Sequence, residues 1–276
     1  NLGYKKKNDK AFLAANGNTK ETPNNGDRYL NTTIDGNLYN GRYEIRTIDE
    51  KFTNILNVGF DHTHSFYDSK RHRKEDESVG QSYDADLKVQ AMYFQNTVYF
   101  NEIDTSFSFG VRSEKSQFGA LDEVDRTVSG FVNSWDATDH ETYDNSSTNQ
   151  ALNIGLEKKI DKNFSIYGNY SESFRIPNID ERILATTSGS FALKDQESDG
   201  IEIGVIYSNE VANLNINYFD IDTLNEIQYD QSVNTNLDPI KREGINLDFE
   251  FRPDNKNKFM GSIGYVNAEF TGGSLS

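Results

Sequence analysis

The chain of 276 residues contains no cysteine, which excludes a disulfide framework and a thiolate metal site. It also lacks any run of about 18 apolar residues, which excludes a helical membrane span. Basic residues are few beside acidic ones, 28 against 44, and the formal net charge is -16. That balance disfavours nucleic acid as a partner, because its phosphates would be repelled.

Hydrophobic residues are also scarce, at 35% of the chain with a mean hydropathy of -0.75, yet aromatic residues reach 12%. A soluble protein of this size usually has more aliphatic residues for its core. A membrane strand needs only every second residue to be apolar, and aromatic girdles enrich Phe and Tyr. The 18 Phe and 15 Tyr argue against disorder as the cause of the low hydrophobicity.

Alternating apolar and polar residues predict ten β-strands. In the sixth of them, Phe164, Ile166 and Tyr170 share one face. Tyr167 and Asn169 share the other face, as the period of two in a strand requires. The predicted strands cover approximately residues 40–49, 54–66, 85–99, 105–115, 149–159, 163–174, 200–208, 212–222, 242–252 and 258–270.

The strand predicted at 85–99 breaks this alternation. Its apolar set begins at Leu87 and Val89 and changes phase near Met92 and Phe94. An extra residue in one strand shifts the phase of the side chains that follow it, so the sequence predicts a β-bulge there.

The connections between the predicted strands alternate in length. Short polar turns lie near residues 50–53, 100–104, 160–162, 209–211 and 253–257, and long polar loops lie at 67–84, 116–148, 175–199 and 223–241. In an antiparallel meander this places every short turn at one end and every long loop at the other, as in bacterial outer-membrane barrels. Soluble β-helices, jelly rolls and lectin-like sandwiches are alternatives, but their packed cores could not bury so polar an inward face.

Several short motifs occur in an order typical of one protein family. They are Tyr93–Thr97 with Gly110–Arg112, Tyr167–Glu181 ending in F-R-I-P-N-I-D-E, Leu193–Ser198 with Glu202–Gly204, and Tyr218–Phe219 with Asn225, Ile227 and Arg242–Gly244. Together they resemble the β-barrel domain of TonB-dependent outer-membrane receptors, from about Ala91 to Phe270. The chain departs from the family pattern at Asp195, where proline is usual, and at Asn246, where glutamate is frequent.

The resemblance implies an all-β fold, an antiparallel transmembrane β-barrel with long extracellular loops and short periplasmic turns. Family members close a barrel of 22 strands, and the strands predicted here make about half of that number. No plug domain precedes the barrel, no TonB box is visible, and the terminal aromatic strand of the family is missing. We therefore expect residues 1–276 to be a fragment of a receptor barrel domain.

The resemblance also implies a function. TonB-dependent receptors reside in the bacterial outer membrane and take up scarce nutrients, most commonly ferric siderophores, although cobalamin, glycans and peptides are also carried. The implied partners are the TonB energy-coupling protein, acting through a plug and TonB box not present in this chain, a small-molecule nutrient, and outer-membrane lipid and lipopolysaccharide. The alternative is a soluble or surface-attached β-rich module that binds carbohydrate or protein through its long loops.

The candidate ligand-binding residues lie in the loops and the lumen. Trp135 and Tyr143 could stack on a ligand within the acidic loop that also contains Asp136 and Asp139. Carboxylates in that loop could hold Ca2+, but their spacing does not match an EF-hand, and a solvated acidic loop is the better interpretation. The residues expected to line the lumen are Arg42, Arg46, Arg112, Asn169, Glu202 and Asn217.

Arg175 is a further candidate, although its motif has a simpler explanation. Pro177 fixes φ and ends the strand, while Asp180 or Glu181 could pair with Arg175 at the base of a long loop. We therefore expect this segment to be mainly structural.

No catalytic or metal site is predicted. No nucleophile, base and oxyanion hole occur at recognisable spacing, so we infer neither an enzyme nor a cofactor. His62 and His64 share a strand face, but it is the apolar outer face, and two ligands do not complete a metal site.

Overall fold

The computed structural model describes residues 2–13, 28–72, 79–124, 140–183, 192–230, 233–254 and 256–273. Within them the strands are β1 (Leu2–Leu13), β2 (Arg28–Ile48), β3 (Phe52–His72), β4 (Gln81–Phe100), β5 (Thr105–Val124), β6 (His140–Lys159), β7 (Phe164–Arg175), β8 (Gln196–Ser208), β9 (Ala212–Leu224), β10 (Ile227–Asp230), β11 (Val233–Asn236), β12 (Ile240–Phe251) and β13 (Phe259–Phe270). A short helix α1 (Ile179–Ile183) and a 3-10 turn (Asn101–Ile103) complete the regular structure of these residues.

Eleven strands form a single antiparallel sheet in the order β1 to β9, then β12 and β13. Strands β10 and β11 form a separate hairpin inside the connection from β9 to β12. Strands β2 to β6 contain 20 or 21 residues each. A tilted strand crosses a bilayer with only about 9–11 residues. Strands β2 to β6 are therefore long enough to extend well beyond the hydrocarbon layer. None of the helices in the described ranges is long and apolar enough to cross a membrane.

All ten predicted strands are confirmed, but several are longer at their loop ends. The loop predicted at 67–84 is an example, because β3 runs to His72 and β4 begins at Gln81. Strand β1 was not predicted. Its sequence, L-G-Y-K-K-K-N-D-K-A-F-L, has a charged run in place of alternation, and it forms a strand by pairing with β2 from Leu2 opposite Tyr39 to Leu13 opposite Arg28.

The predicted β-bulge in β4 is wrong. Strands β3 and β4 pair residue for residue from Phe52 opposite Phe100 to Arg71 opposite Gln81, with no extra residue on either side. The phase change has a different cause. Met92 faces outward with 75% exposure, whereas Leu87 lies opposite Phe118 on the inner face. The inner face itself carries apolar residues in this part of the sheet.

The two faces of the sheet differ in chemistry, because residues that oppose each other in register share a face. The outer face carries exposed apolar side chains, including Ile203 opposite Tyr218 and Tyr218 opposite Ile245. Further exposed members of the outer face are Val58, Phe60, Phe94, Val111, Leu156, Ile166, Ile201, Ile216, Phe249 and Ile263. An exposed apolar face of this extent is the side that contacts lipid in a membrane barrel.

Candidate functional site

The F-R-I-P-N-I-D-E segment at the end of β7 builds helix α1. The backbone N–H of Glu181 donates to Asn178 Oδ1 at 2.8 Å, and the backbone N–H of Asn178 donates to Glu181 Oε2 at 2.9 Å. This reciprocal pair is a capping box, which satisfies two backbone donors at the start of a helix. Arg175 Nη1 donates to Glu181 Oε1 at 2.7 Å, and Pro177 is fully buried. These contacts agree with the structural role expected of the motif.

Helix α1 folds inward and covers part of the inner face near the loop ends of the strands. Ile179 packs into a buried cluster that also contains Tyr67 of β3, Tyr83 of β4 and Phe118 of β5. We call these four residues the covered patch. Phe118 is 1% exposed and Tyr83 is 0% exposed, although both lie on the face that would be polar in a water-filled lumen.

Arg182 of α1 holds the helix against this patch. Its guanidinium carbon lies 4.8 Å from the centre of the Phe118 ring, a cation–π contact, and its Nη1 donates to the carbonyl oxygen of Leu193 at 3.1 Å. Nη2 lies 3.6 Å from Asp195 Oδ1. Burial lowers the pKa of Arg182, and the carboxylate of Asp195 opposes that shift by favouring the charged form.

Asp195 also binds side chains of strand β6. Its Oδ2 accepts hydrogen bonds from Asn149 Nδ2 at 2.7 Å and from Ser147 Oγ at 2.5 Å, both on β6. Asp195 therefore connects Arg182 of α1 to strand β6. A proline at this position could make none of these contacts, because its side chain has no acceptor.

The β10–β11 hairpin docks on the same loop. The side-chain amide of Asn236 accepts from the backbone N–H of Lys194 at 2.8 Å and donates to the Lys194 carbonyl at 3.1 Å. Asn234 Nδ2 donates to the Glu181 carbonyl at 3.1 Å, at the end of α1. The described parts of loops 175–199 and 223–241 thus pack together as one unit, which we call the mouth.

Arg112 and Arg175, both predicted as ligand-binding residues, line the same cavity of 430 Å³ beneath the mouth. Its apolar lining includes Leu87, Val89 and Ala151. Its other lining residues are Glu114, Ser173, Phe174, Ile176 and Asn178. We call this space the inner cavity, and its combination of apolar and polar lining residues is suited to a small molecule.

Arg112 is held at the wall of the inner cavity by two carboxylates. Its Nη1 donates to Asp61 Oδ2 at 2.6 Å. Its Nε and Nη2 both donate to Glu114 Oε2, at 2.9 and 2.5 Å. One positive charge therefore meets two negative ones, and the group as a whole is anionic.

The sequence predicted that Tyr143 lies in a loop, and this prediction is wrong. It belongs to β6, opposite Ala120, because the β5–β6 pairing continues far beyond the predicted strand ends. Its ring centre lies 5.9 Å from that of Phe118, so it packs against the covered patch and is not part of the inner-cavity lining. The other predicted residues of the acidic loop, Trp135, Asp136 and Asp139, lie outside the described residues.

A second group on the inner face lies nearer the turns. Tyr167 Oη donates to Glu202 Oε1 at 2.7 Å, and Asn217 Nδ2 donates to the same oxygen at 2.8 Å. We call these three residues the polar patch. The register places Asn169, Glu202, Asn217, Arg42 and Arg46 on the inner face, as predicted for lumen residues.

The sequence did not identify Arg182 or Asn236, because each acts through partners far along the chain. The sequence did contain one indication of the Arg182 contact, because the chain has Asp195 where the family motif usually has proline. His62 and His64 face outward as predicted, and His64 Nε2 lies 3.1 Å from Asp86 Oδ2. Among the side chains that the structure describes, no three His, Asp or Glu residues cluster in a way that could hold a metal ion.

A family model described as "TonB dependent receptor-like, beta-barrel" matches residues 1–275. No curated protein sequence matches the chain significantly. Among solved structures, the siderophore receptor PiuA from Acinetobacter baumannii is similar with a TM-score of 0.70 and 14% identity, over 98% of this chain and 44% of that one. The ferripyoverdine receptor of the Pseudomonas aeruginosa outer membrane is similar with a TM-score of 0.69 and 13% identity, over 97% of this chain and 37% of that one.

The copper transporter OprC is also similar, with a TM-score of 0.64 and 12% identity, over 89% of this chain and 40% of that one. The chain therefore spans about two fifths of the length of the solved structures that it matches. At such low identity, the shared property of these proteins and this chain is the fold.

Proposed function

The chain belongs to the family of TonB-dependent receptor β-barrels, and from that premise we propose that its receptor takes up a ferric siderophore. The family resides in the bacterial outer membrane and consists of transport receptors. The chain has the corresponding surfaces, since its outer face is apolar and exposed while its inner face carries the polar patch and the inner cavity.

The inner cavity beneath the mouth is the observation that carries this proposal. It lies on the inner face, toward the end of the sheet at which the long loops emerge, and it combines an apolar lining with Arg112 and Arg175. Ligand entry from the loop side would bring a small molecule first to the mouth and then to this cavity. Two of the similar structures are a siderophore receptor and a ferripyoverdine receptor, which supports the choice of cargo.

The remaining parts of the transport cycle belong to the same proposal. We propose that residues 1–276 contribute about half of a receptor barrel, and that the TonB protein moves a plug domain held against the inner face. Lipid and lipopolysaccharide would then surround the apolar outer face. The soluble or surface-attached binding module is not retained, because its outer face would have to stay in water with a large apolar surface exposed.

Growth of a deletion strain tests the cargo. We expect a strain lacking the receptor gene to lose growth on at least one ferric siderophore as sole iron source, and to regain it when the gene is restored. A variant in which Arg112 and Arg175 are both alanine should restore growth less well than the wild type. Because a copper transporter shares the fold, copper-limited growth is the matched control. Unchanged uptake of every siderophore, or a defect only in copper, would contradict the proposal.

A further inference from the structure

We infer that the mouth and the inner cavity select an uncharged iron chelate over an anionic one. The inference rests on the proposed function and names the charge class of its cargo. It follows from the arginines at this end of the inner face, which already hold carboxylates of the protein itself.

The clearest case is Arg112, one of the two arginines that line the inner cavity. Its three hydrogen bonds to side chains go to carboxylates, one to Asp61 and two to Glu114, at distances between 2.5 and 2.9 Å. Its side chain is only 33% exposed, and that of Glu114 is 11% exposed. An anionic ligand would have to displace one of these carboxylates or approach a group that already has an excess of negative charge.

The other arginines near the mouth are also engaged. Arg175 holds Glu181, whose second oxygen accepts the backbone N–H of Asn178, so its release would weaken the capping box of α1. Arg242 Nη2 lies 2.7 Å from Glu226 Oε2. Arg182 is buried against Asp195, as described above. In each of these pairs a carboxylate of the protein already balances the guanidinium charge, so the net attraction for a further anion is weak.

Two further cations lie in this part of the described chain. Arg71 packs over the Tyr83 ring, with its guanidinium carbon 4.6 Å from the ring centre, and it donates to Gln81. Lys194 is exposed in the mouth, where only its backbone is bound by Asn236. Against these, the chain as a whole carries a formal net charge of -16, which disfavours an approaching anion.

An uncharged chelate faces none of these costs. The apolar lining formed by Leu87, Val89 and Ala151 can bury its carbon surface. The Ser173 hydroxyl donates to the Ser198 carbonyl at 3.4 Å, and its oxygen can still accept a hydrogen bond. The paired Arg112 can still present an N–H edge to a neutral carbonyl oxygen without leaving its carboxylates. The site is therefore better matched to a neutral ligand with carbonyl groups than to a polyanion.

Calorimetric titration of the detergent-purified full-length receptor tests this selection with three chelates. They are a neutral ferric trihydroxamate, a trianionic ferric tricatecholate and ferric citrate. We expect the trihydroxamate to bind at least about tenfold more tightly than either anion at low salt, where charge repulsion is strongest. Tighter or equal binding of an anionic chelate would overturn the inference and leave the proposed function intact. Binding of none of the three would overturn both.

Variants separate charge from shape. The double change Asp61→Asn and Glu114→Gln releases Arg112 from its carboxylates at nearly constant volume, and we expect it to raise the affinity for the tricatecholate about tenfold. Glu44→Gln is the matched control, because Glu44 pairs with the exposed Arg42 and Arg46 on the same face nearer the turns. An unchanged tricatecholate affinity in the double variant, or an equal gain in the control, would contradict the assignment.

Discussion

The covered patch and the polar patch lie on the same inner face, yet they are built in opposite ways. In the covered patch, Tyr83 and Phe118 are buried beneath α1, with Arg182 over the Phe118 ring and paired with Asp195, and with Arg71 over the Tyr83 ring. In the polar patch, Tyr167, Glu202 and Asn217 are half-buried, and both Tyr167 and Asn217 Nδ2 donate to Glu202, while Asn217 Oδ1 has no partner among the described residues. The first is an apolar core formed by a loop, and the second is a surface that can stay next to water or another polar protein surface.

The difference shows how one face of a sheet can serve two purposes. An apolar inner residue gains by burial only when a loop returns to cover it, which requires that the loop be ordered. The loop is ordered by the Arg182–Asp195 pair and by the two hydrogen bonds between the Asn236 side chain and the Lys194 backbone. The polar patch needs no cover, because Tyr167 Oη and Asn217 Nδ2 exchange hydrogen bonds with water for hydrogen bonds to Glu202 at small net cost.

The largest effect is expected for Asp195→Asn in the covered region. This change leaves the Arg182 charge buried without its carboxylate, and losing one partner of a buried pair costs about 3–5 kcal/mol. Urea titration of the full-length receptor in detergent measures the loss in the free energy of unfolding. Glu44→Gln is the matched control, because its arginine partners are exposed and such pairs contribute less than about 1 kcal/mol. Equal losses in the two variants would remove the distinction between the regions.

The next effect is expected for Phe118→Ala. The side chain is 1% exposed and supports both α1 and Arg182, so its removal should lower the free energy of unfolding by about 3 kcal/mol. Protease cleavage near residue 183 should also become faster, because α1 loses its packing surface. Ile203→Ala, at an outward position with 55% exposure, is the control. If Ile203→Ala lowered the free energy of unfolding in detergent as much as Phe118→Ala, the covered patch would not be a core.

A smaller effect is expected in the polar patch. Glu202→Leu removes the acceptor shared by Tyr167 and Asn217, and each lost hydrogen bond costs about 0.5–1.5 kcal/mol. Glu202→Gln keeps an acceptor oxygen and should be nearly neutral. The same urea titration measures both. A loss in Glu202→Leu as large as that in Asp195→Asn would show that the polar patch is sealed from water.

The smallest effect is expected at the turn between β12 and β13. Hydrogen bonds from the Asn257 side chain, and then from the backbone N–H groups of Lys256 and Asn257, lower the pKa of Asp254. A lowered pKa in the folded state means that this stabilisation is complete above the pKa of an unfolded aspartate, about 3.9, and is lost as the pH falls through the folded value. The stability difference between the wild type and Asp254→Ala should therefore be present at neutral pH and vanish in acid. A difference independent of pH would contradict this origin.

Much of the fold could be predicted from local patterns. Phe164, Ile166 and Tyr170 lie on the outer face as the alternation indicated, and the alternating loop lengths predicted the antiparallel order. The candidate site was predicted less completely. Arg112 and Arg175 do meet at one cavity, but nothing in the sequence shows that both are paired with carboxylates. Their partners depend on register and on the path of the loop.

The sequence by itself determined which residues face outward and inward, because a strand places successive side chains on opposite faces whatever its neighbours are. It also determined the family, through motifs kept in order along the chain. Only the tertiary structure decided that β1 is a strand, that Leu87 and Phe118 form an apolar patch inside, and that Asp195 holds Arg182. These features depend on contacts between strands and loops far apart in sequence, and such contacts exist only once the sheet has brought them together.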